Sequence, residues 1–117
     1  MQPLCALADL SDPGSRGFRV WRDGAPVEIF LVRRHGRVFA YRNSCPHTGG
    51  PLDWVPDRFL DVDERLIQCA THDALFRIED GRCIAGPCAG QALVAVPVEV
   101  REGQVWPLPP YSAGPPG

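Results

Sequence analysis

Apolar and polar residues alternate along several short stretches of the chain, and this period-two pattern predicts β-strands. Residues 17–22 alternate clearly, which predicts a strand with one buried face. Residues 27–32 are more uniformly apolar and predict a more buried strand, and residues 38–41 predict a third. Between these strands, Asp23-Gly24 and His35-Gly36 are signals for hairpin turns. This part of the chain is therefore expected to form antiparallel strands that lead to residue 45.

The rest of the chain continues the pattern of short strands and turns. Asp12-Pro13-Gly14 signals a turn across residues 11–17. Gly and Pro are both abundant, with 12 and 13 copies, which favours turns over long helices. The Pro-rich residues 108–117 predict an extended or disordered tail. The sequence thus predicts an all-β fold, with further strands at residues 4–7, 66–68, 74–78, 94–101 and 104–106.

Composition limits the classes of function. The 117 residues suffice for one domain with a modest core. The net charge of −2 does not favour a nucleic-acid partner. The sequence contains no apolar run long enough for a membrane span, and residues 1–7 lack the basic start of a secretory signal. We therefore expect a cytoplasmic protein with no membrane partner. In that compartment its five Cys are expected to bind metal rather than to form disulfides.

Two short motifs carry the candidate chemistry, and each offers one thiolate and one imidazole. Cys45 and His47 form a C-x-H motif, while Cys69 and His72 form a C-x-x-H motif. A structural zinc site more often pairs Cys with Cys in one knuckle and His with His in the other. A cluster with two thiolates on one iron and two imidazoles on the other is the Rieske [2Fe-2S] centre. The mixed motifs favour that cluster, with a zinc site as the alternative.

The residues around both motifs resemble those of Rieske ferredoxin-type proteins over about residues 4–106. The resemblance rests on Cys45-Pro46-His47-x-Gly49-Gly50-Pro51-Leu52, on Cys69-x-x-His72-x-x-x-Phe76, and on the later Asp80-Gly81-Arg82 and Gly86-Pro87. It implies that Cys45 and Cys69 hold one iron, and that His47 and His72 hold the other, more exposed iron. It also implies that Gly86-Pro87 belongs to a proline loop that covers the cluster.

The same resemblance implies a domain layout. The family fold consists of antiparallel sheets, in which a small cluster-binding subdomain is inserted into a basal domain that resembles a β-barrel. We expect a single Rieske domain over residues 1–107, with its cluster-binding part at about 43–90, and a Pro/Gly-rich tail over 108–117.

Departures from the respiratory members of that family indicate a low reduction potential. Those relatives carry an extra disulfide-forming Cys in each ligand loop, where this chain has Gly50 and Thr71. They also place Ser and Tyr hydroxyls beside the cluster, where this chain has Ala74 and Phe76. Without those donors the reduced cluster is less stabilised. The interval between the motifs is longer than is common in ferredoxins, which predicts an inserted turn over residues 54–64.

These features predict a soluble carrier of single electrons. Rieske oxygenases also need a mononuclear iron held by two His and a carboxylate. Only His35 remains once His47 and His72 are used. By resemblance, the chain takes electrons from a flavin-dependent reductase and passes them to a terminal oxygenase, with docking over the two ligand His, Leu52 and Pro87. The alternatives are a small subunit of a larger oxidoreductase such as nitrite reductase, and a structural zinc or regulatory iron–sulfur module.

Other chemically distinctive residues have simpler interpretations. His35 is expected at the surface of its turn, and Cys5 is expected to pack as a small hydrophobe. Cys83 and Cys88 are either a disulfide or two free thiols, with thiols favoured in a reducing cytosol. The acidic segment 53–64 is either a solvated loop or a docking surface. The same two alternatives, a solvated surface or a docking surface, apply to four arginines: Arg33, Arg34, Arg37 and Arg42. The three tryptophans are expected to serve in packing: Trp21, Trp54 and Trp106.

Overall fold

The computed structural model describes residues 2–46, 49–53, 55–69 and 73–114, and these residues form ten short strands. A 3₁₀ helix at Leu7–Asp9 is the one helical segment within those ranges. None of the described residues belongs to a helix long and apolar enough to span a membrane. The strands are β1 Cys5–Ala6, β2 Gly14–Arg22, β3 Ala25–Arg34, β4 Arg37–Arg42, β5 Leu66–Cys69, β6 Ala74–Arg77, β7 Cys83–Ala85, β8 Val98–Arg101, β9 Gln104–Pro107 and β10 Tyr111–Ser112.

The strands form three antiparallel sheets. Their orders are β10-β2-β3-β4, β1-β9-β8 and β5-β6-β7. The third sheet comes from chain that runs between β4 and β8, so it is an insertion into the part of the fold built by the other two sheets. The expected all-β fold, with a small inserted subdomain on a larger base, is confirmed.

Three of the hairpins close with two-residue turns, and the sequence predicts two of these turns. Asp23 and Gly24 have φ values of 52° and 81°, and His35 and Gly36 have values of 53° and 76°. Two successive positive φ values are typical of the tight turn that matches strand twist in a two-residue hairpin. Glu102 and Gly103 repeat the geometry with 53° and 73° between β8 and β9.

Strand β3 contributes to both hydrophobic cores, which explains the uninterrupted apolar run from Ile29 to Val32. Ile29 and Leu31 pack in the basal core, whereas Phe30 and Val32 pack in the core of the inserted part. Successive side chains of a strand point to opposite faces, so a strand buried on both faces needs apolar residues at every position. The Phe30 ring stacks on Phe59, with ring centroids 4.3 Å apart. Phe59 thereby fixes the long connection that precedes β5.

The C-terminal segment differs from the expected extended or disordered tail. Tyr111 and Ser112 form β10 and pair with Arg22 and Trp21 of β2. Tyr111 is only 6% exposed, and its hydroxyl accepts hydrogen bonds of 3.1 and 2.8 Å from Nε and Nη2 of Arg42. Proline content suggested a tail, but the buried Tyr111 side chain and its two hydrogen bonds from Arg42 hold this segment on the sheet. Residues 115–117 lie outside the described part.

Two predicted boundaries also need correction. The turn expected over 11–17 is shorter, because β2 begins at Gly14 and pairs with Arg33 from that residue onward. The strand expected over 94–101 begins only at Val98, while Ala95 makes an isolated bridge to Tyr41. In both places the strand was predicted, but its first residue was not.

Candidate metal centre

The first ligand loop follows β4, and the side chain of Asn43 joins its two ends. The Leu52 N–H donates to Asn43 Oδ1 at 2.7 Å, and Asn43 Nδ2 donates to Asp53 Oδ1 at 2.9 Å. The Asn43 N–H itself donates to the carbonyl of Glu28 on β3 at 2.9 Å. A single side chain thus fixes the loop on the sheet. The sequence does not single out Asn43, because nothing in its local pattern distinguishes it from an ordinary loop Asn.

Within this loop the backbone folds tightly around Cys45. The Cys45 N–H donates to the carbonyl of Gly50 at 2.8 Å, and the Gly49 N–H donates to the carbonyl of Cys45 at 2.7 Å. Gly49 has a φ of 78°, a conformation that favours glycine. Cys45 is 1% exposed. The loop therefore presents its sulfur to the protein interior.

The second ligand loop joins β5 to β6. Cys69 ends β5 and pairs directly with Ala74, the first residue of β6. Asp73 has a φ of 51°, and its Oδ1 accepts a hydrogen bond of 3.2 Å from Gln68 Nε2. Cys69 is fully buried. A hairpin end of this kind holds Cys69 rigidly at the tip of the inserted sheet.

Both predicted sulfur ligands belong to the same buried cluster of the inserted part. Leu52 and Phe76 are fully buried in the same cluster. The two predicted imidazole ligands, His47 and His72, lie outside the described residues. Within the described ranges, no three His, Cys, Asp or Glu side chains are grouped to hold a metal, and of the four predicted ligands the structure describes Cys45 and Cys69.

The third loop, after β7, packs against the start of β6. Gly86 has a φ of 100°, and a Cβ at this residue would lie 2.8 Å from Cα of Ala74. A backbone approach this close leaves no room for a side chain. The Gly86-Pro87 segment therefore lies beside the second ligand loop, where the proline loop was expected.

Tyr41 connects the turn after β6 to the basal sheet. Its hydroxyl donates to the carbonyl of Ile78 at 2.6 Å, and a Cβ on Gly81 would lie 2.7 Å from its ring. Burial raises the pKa of Tyr41 to about 12, with a further contribution from the charges of Asp80 and Glu79. The tyrosine stays protonated and keeps the turn in place.

Two more cysteines lie in the same buried cluster. Cys83 and Cys88 are 3% and 1% exposed, and their sulfur atoms lie 3.1 Å apart as two thiols. Burial raises the pKa of Cys88 to about 12, and the hydrogen bond with Cys83 and the charges of Cys83 and Cys45 add to the shift. Of the two alternatives considered for this pair, the structure shows the thiols.

Carboxylates of the acidic connection between the two motifs make hydrogen bonds that hold this segment in place. Asp57 Oδ1 accepts from the N–H of Gly17 at 2.8 Å, and the hydroxyl of Ser15 donates to the carbonyl of Asp57 at 2.8 Å. Asp61 Oδ1 accepts from the N–H groups of Arg65 and Leu66 at 3.0 and 3.1 Å. These carboxylates fasten the connection to β2 and to its own turn. Trp54 lies outside the described residues.

Burial and hydrogen bonding also test the roles expected of several other residues. Leu52 is fully buried, so it does not contribute the docking surface expected of it, whereas Pro87 is exposed. Arg33 donates to the carbonyls of Leu7 and Leu10, which makes it a structural residue. His35 is exposed in its turn, as predicted.

Comparison with known proteins decides the family. A family model for the Rieske [2Fe-2S] domain matches residues 1–107. The chain belongs to the Rieske [2Fe-2S] domain family. This Rieske protein is 34% identical over 102 residues to the ferredoxin component of the alkene monooxygenase system of Xanthobacter autotrophicus, across 87% of this chain and 75% of the relative. The resemblance inferred from the two ligand motifs is confirmed.

Solved structures of ferredoxins have the same fold. A ferredoxin of Sphingomonas yanoikuyae B1 superimposes with a TM-score of 0.70 at 27% identity, over 93% of this chain and 98% of the other. The ferredoxin of carbazole 1,9a-dioxygenase from Nocardioides aromaticivorans IC177 gives 0.69 at 25%, over 89% and 92%. This Rieske protein is accordingly an electron carrier with one [2Fe-2S] cluster, and its two buried thiols fit the sulfur-ligated iron of such a cluster.

Proposed function

We propose that the cluster is held by Cys45 and Cys69 on one iron and by His47 and His72 on the other. The observation that carries this assignment is the burial of both thiols in one core, at the ends of two loops that the fold brings side by side. Each loop has its His within three residues of its Cys. Thiolates stabilise ferric iron, and imidazoles make the other iron easier to reduce. When bound, the cluster supplies one-electron chemistry.

We further propose that the protein accepts single electrons from a flavin-dependent reductase and donates them to a terminal oxygenase in the cytoplasm. The support is the kind of system in which its relatives occur. One relative is a component of an alkene monooxygenase system. Another, 28% identical with a TM-score of 0.70, belongs to a complex of reduced oxygenase and oxidized ferredoxin in carbazole 1,9a-dioxygenase. Both oxygenase systems use a separate ferredoxin chain.

The protein's own residues serve this role by rigidity and by exclusion of water. Asn43 braces the first loop, the Cys69–Ala74 pair closes the second, and Gly86 seats the third against β6. A preorganised, buried ligand shell changes little when the cluster gains an electron, which favours fast transfer. The exposed Pro87 lies on the surface that partners would reach.

Metal and sulfide analysis of the purified protein tests the ligand set. We expect two irons and two acid-labile sulfides per chain, both lost in a Cys45→Ser, Cys69→Ser double variant. One zinc per chain would overturn the proposal and support a structural zinc module. Co-purification with a large catalytic subunit in fixed stoichiometry would instead overturn the freely diffusing carrier, and would favour a small subunit of a larger oxidoreductase.

A further inference from the structure

The described residues contain a second pair of sulfur atoms outside the proposed ligand set. Cys83 begins β7, and Cys88 lies in the turn that follows it. Both side chains are buried, and their sulfur atoms are 3.1 Å apart. A disulfide bond is about 2.05 Å long, so small rotations of the two side chains bring the atoms into bonding range.

The hydrogen bonds of this pair give the two thiols different roles. Cys83 Sγ–H donates to the carbonyl of Ala85 at 3.2 Å. Because that proton is engaged, the contact between the sulfurs is a donation from the Cys88 thiol to Cys83 Sγ. Burial and this hydrogen bond raise the pKa of Cys88, which disfavours charge on that sulfur.

We propose that Cys83 and Cys88 form a redox-active dithiol, which hydrogen peroxide converts to an intramolecular disulfide under the proline loop. Cys83 Sγ attacks one peroxide oxygen, the O–O bond breaks, and the displaced hydroxide takes the thiol proton to give water. Cys83 is then a sulfenic acid. Cys88 Sγ attacks that sulfur, the S–S bond forms, and the S–OH group leaves with the Cys88 proton as a second water. Two thiols are oxidised by two electrons while one peroxide is reduced to two waters.

The surroundings of the pair explain why a small oxidant reaches it. Ile84, Gly86 and Pro87, which lie between the two cysteines in the sequence, are exposed to solvent. Gly86 packs closely on Ala74, where a Cβ would lie 2.8 Å from Cα of Ala74. A disulfide would tie the two ends of segment 84–87 together beside the second ligand loop. Cys5 lies in the basal core, apart from this pair.

The arrangement of arginines makes the test direct. Trypsin cleaves after Arg82 and Arg101, and the peptide 83–101 contains Cys83 and Cys88 but no other cysteine. The intact protein is treated with increasing hydrogen peroxide, then denatured in N-ethylmaleimide, digested and analysed by mass spectrometry. We expect this peptide to become unalkylated and two hydrogen atoms lighter, and to regain both labels after dithiothreitol. Full alkylation at every peroxide concentration, sulfinic acid, or a cross-link to the peptide of Cys45 or Cys69 would overturn the proposal.

Matched variants separate the two roles. In Cys88→Ser, peroxide should leave a sulfenic acid on Cys83 that dimedone traps, whereas Cys83→Ser should give much less trapping on Cys88. Cys5→Ser should leave the oxidation of peptide 83–101 unchanged. Equal trapping in the two variants would contradict the assigned order. The wild-type peptide is informative even if a variant folds poorly, and the readout requires neither a partner nor the proposed cluster ligands.

Discussion

The N–H of Leu52 donates to the side-chain oxygen of Asn43 at 2.7 Å, and this hydrogen bond joins the two ends of the first ligand loop. The same amide group donates to Asp53 on its other side. Asn43 can satisfy both partners because an amide carries an acceptor and a donor. The position of Cys45 thus depends on a residue that contributes no ligand.

Replacement of Asn43 should destabilise the ligand loop. Asn43→Ala removes an acceptor and a donor and leaves the partly buried N–H of Leu52 without its partner, which costs about 1–3 kcal/mol. We expect a lower free energy of unfolding in urea and a faster loss of cluster absorbance with a chelator. Ser44→Ala removes one exposed hydrogen bond from the same loop and is the matched control. Equal effects of the two variants would show that Asn43 does not brace the loop.

Two glycines separate the effect of backbone conformation from the effect of close contact. Gly86 and Gly90 have φ values of 100° and 92°, but only at Gly86 would a Cβ meet Ala74, at 2.8 Å from its Cα. Ala at either residue should lower stability by about 1–2 kcal/mol for the positive φ. Gly86→Ala should cost more and also accelerate cluster loss, because the third loop must move off β6. Thermal unfolding of both variants checks this, and equal losses would contradict the close packing.

Tyr41 should make stability fall at alkaline pH. Its folded-state pKa is raised from an ordinary value near 10 to about 12, chiefly by burial. A raised pKa means that the folded state holds the proton more tightly, so the contribution is complete below pH 10 and is lost as pH rises toward 12. Tyr41→Phe should remove this part of the slope. Urea unfolding of both proteins between pH 9 and 12 measures it, and parallel curves would contradict the buried hydroxyl.

The reduction potential should rise when hydroxyl groups are added beside the second ligand motif. Ala74 and Phe76 are fully buried in the cluster that contains both ligand thiols. Phe76→Tyr adds a donor that stabilises the reduced state, which carries more negative charge. Protein-film voltammetry should show a higher potential than in the wild type. Phe18→Tyr in the basal core is the control and should change nothing. An unchanged potential in Phe76→Tyr would contradict the effect assigned to the missing hydroxyl donors.

Local sequence patterns predicted the parts of this fold that depend on neighbouring residues. The pattern of apolar residues indicated β2, β3 and β4, and Asp23-Gly24 and His35-Gly36 close their hairpins as expected. The two ligand motifs are short enough to be read directly, which is why the family resemblance held. These features are visible because their spacing is fixed within a few residues.

Contacts between distant residues were not predictable in the same way. Tyr111 binds Arg42 across 69 positions of sequence, and Asp57 binds the backbone of Gly17 across 40. Composition indicated a tail in the first case and a charged loop in the second. Nothing in either segment shows which distant donor it will meet, so only the folded chain reveals that both residues are structural.

The central claim is that two thiolates and two imidazoles hold one pair of irons, and electron paramagnetic resonance of the dithionite-reduced protein tests it most directly. We expect a rhombic signal whose average g value lies below that of all-thiolate clusters. His72→Cys should lose this signal, while His35→Asn, a change in an exposed turn with a φ of 53°, should keep it. A spectrum of the all-thiolate type in the wild type, or one unchanged in His72→Cys, would contradict the account.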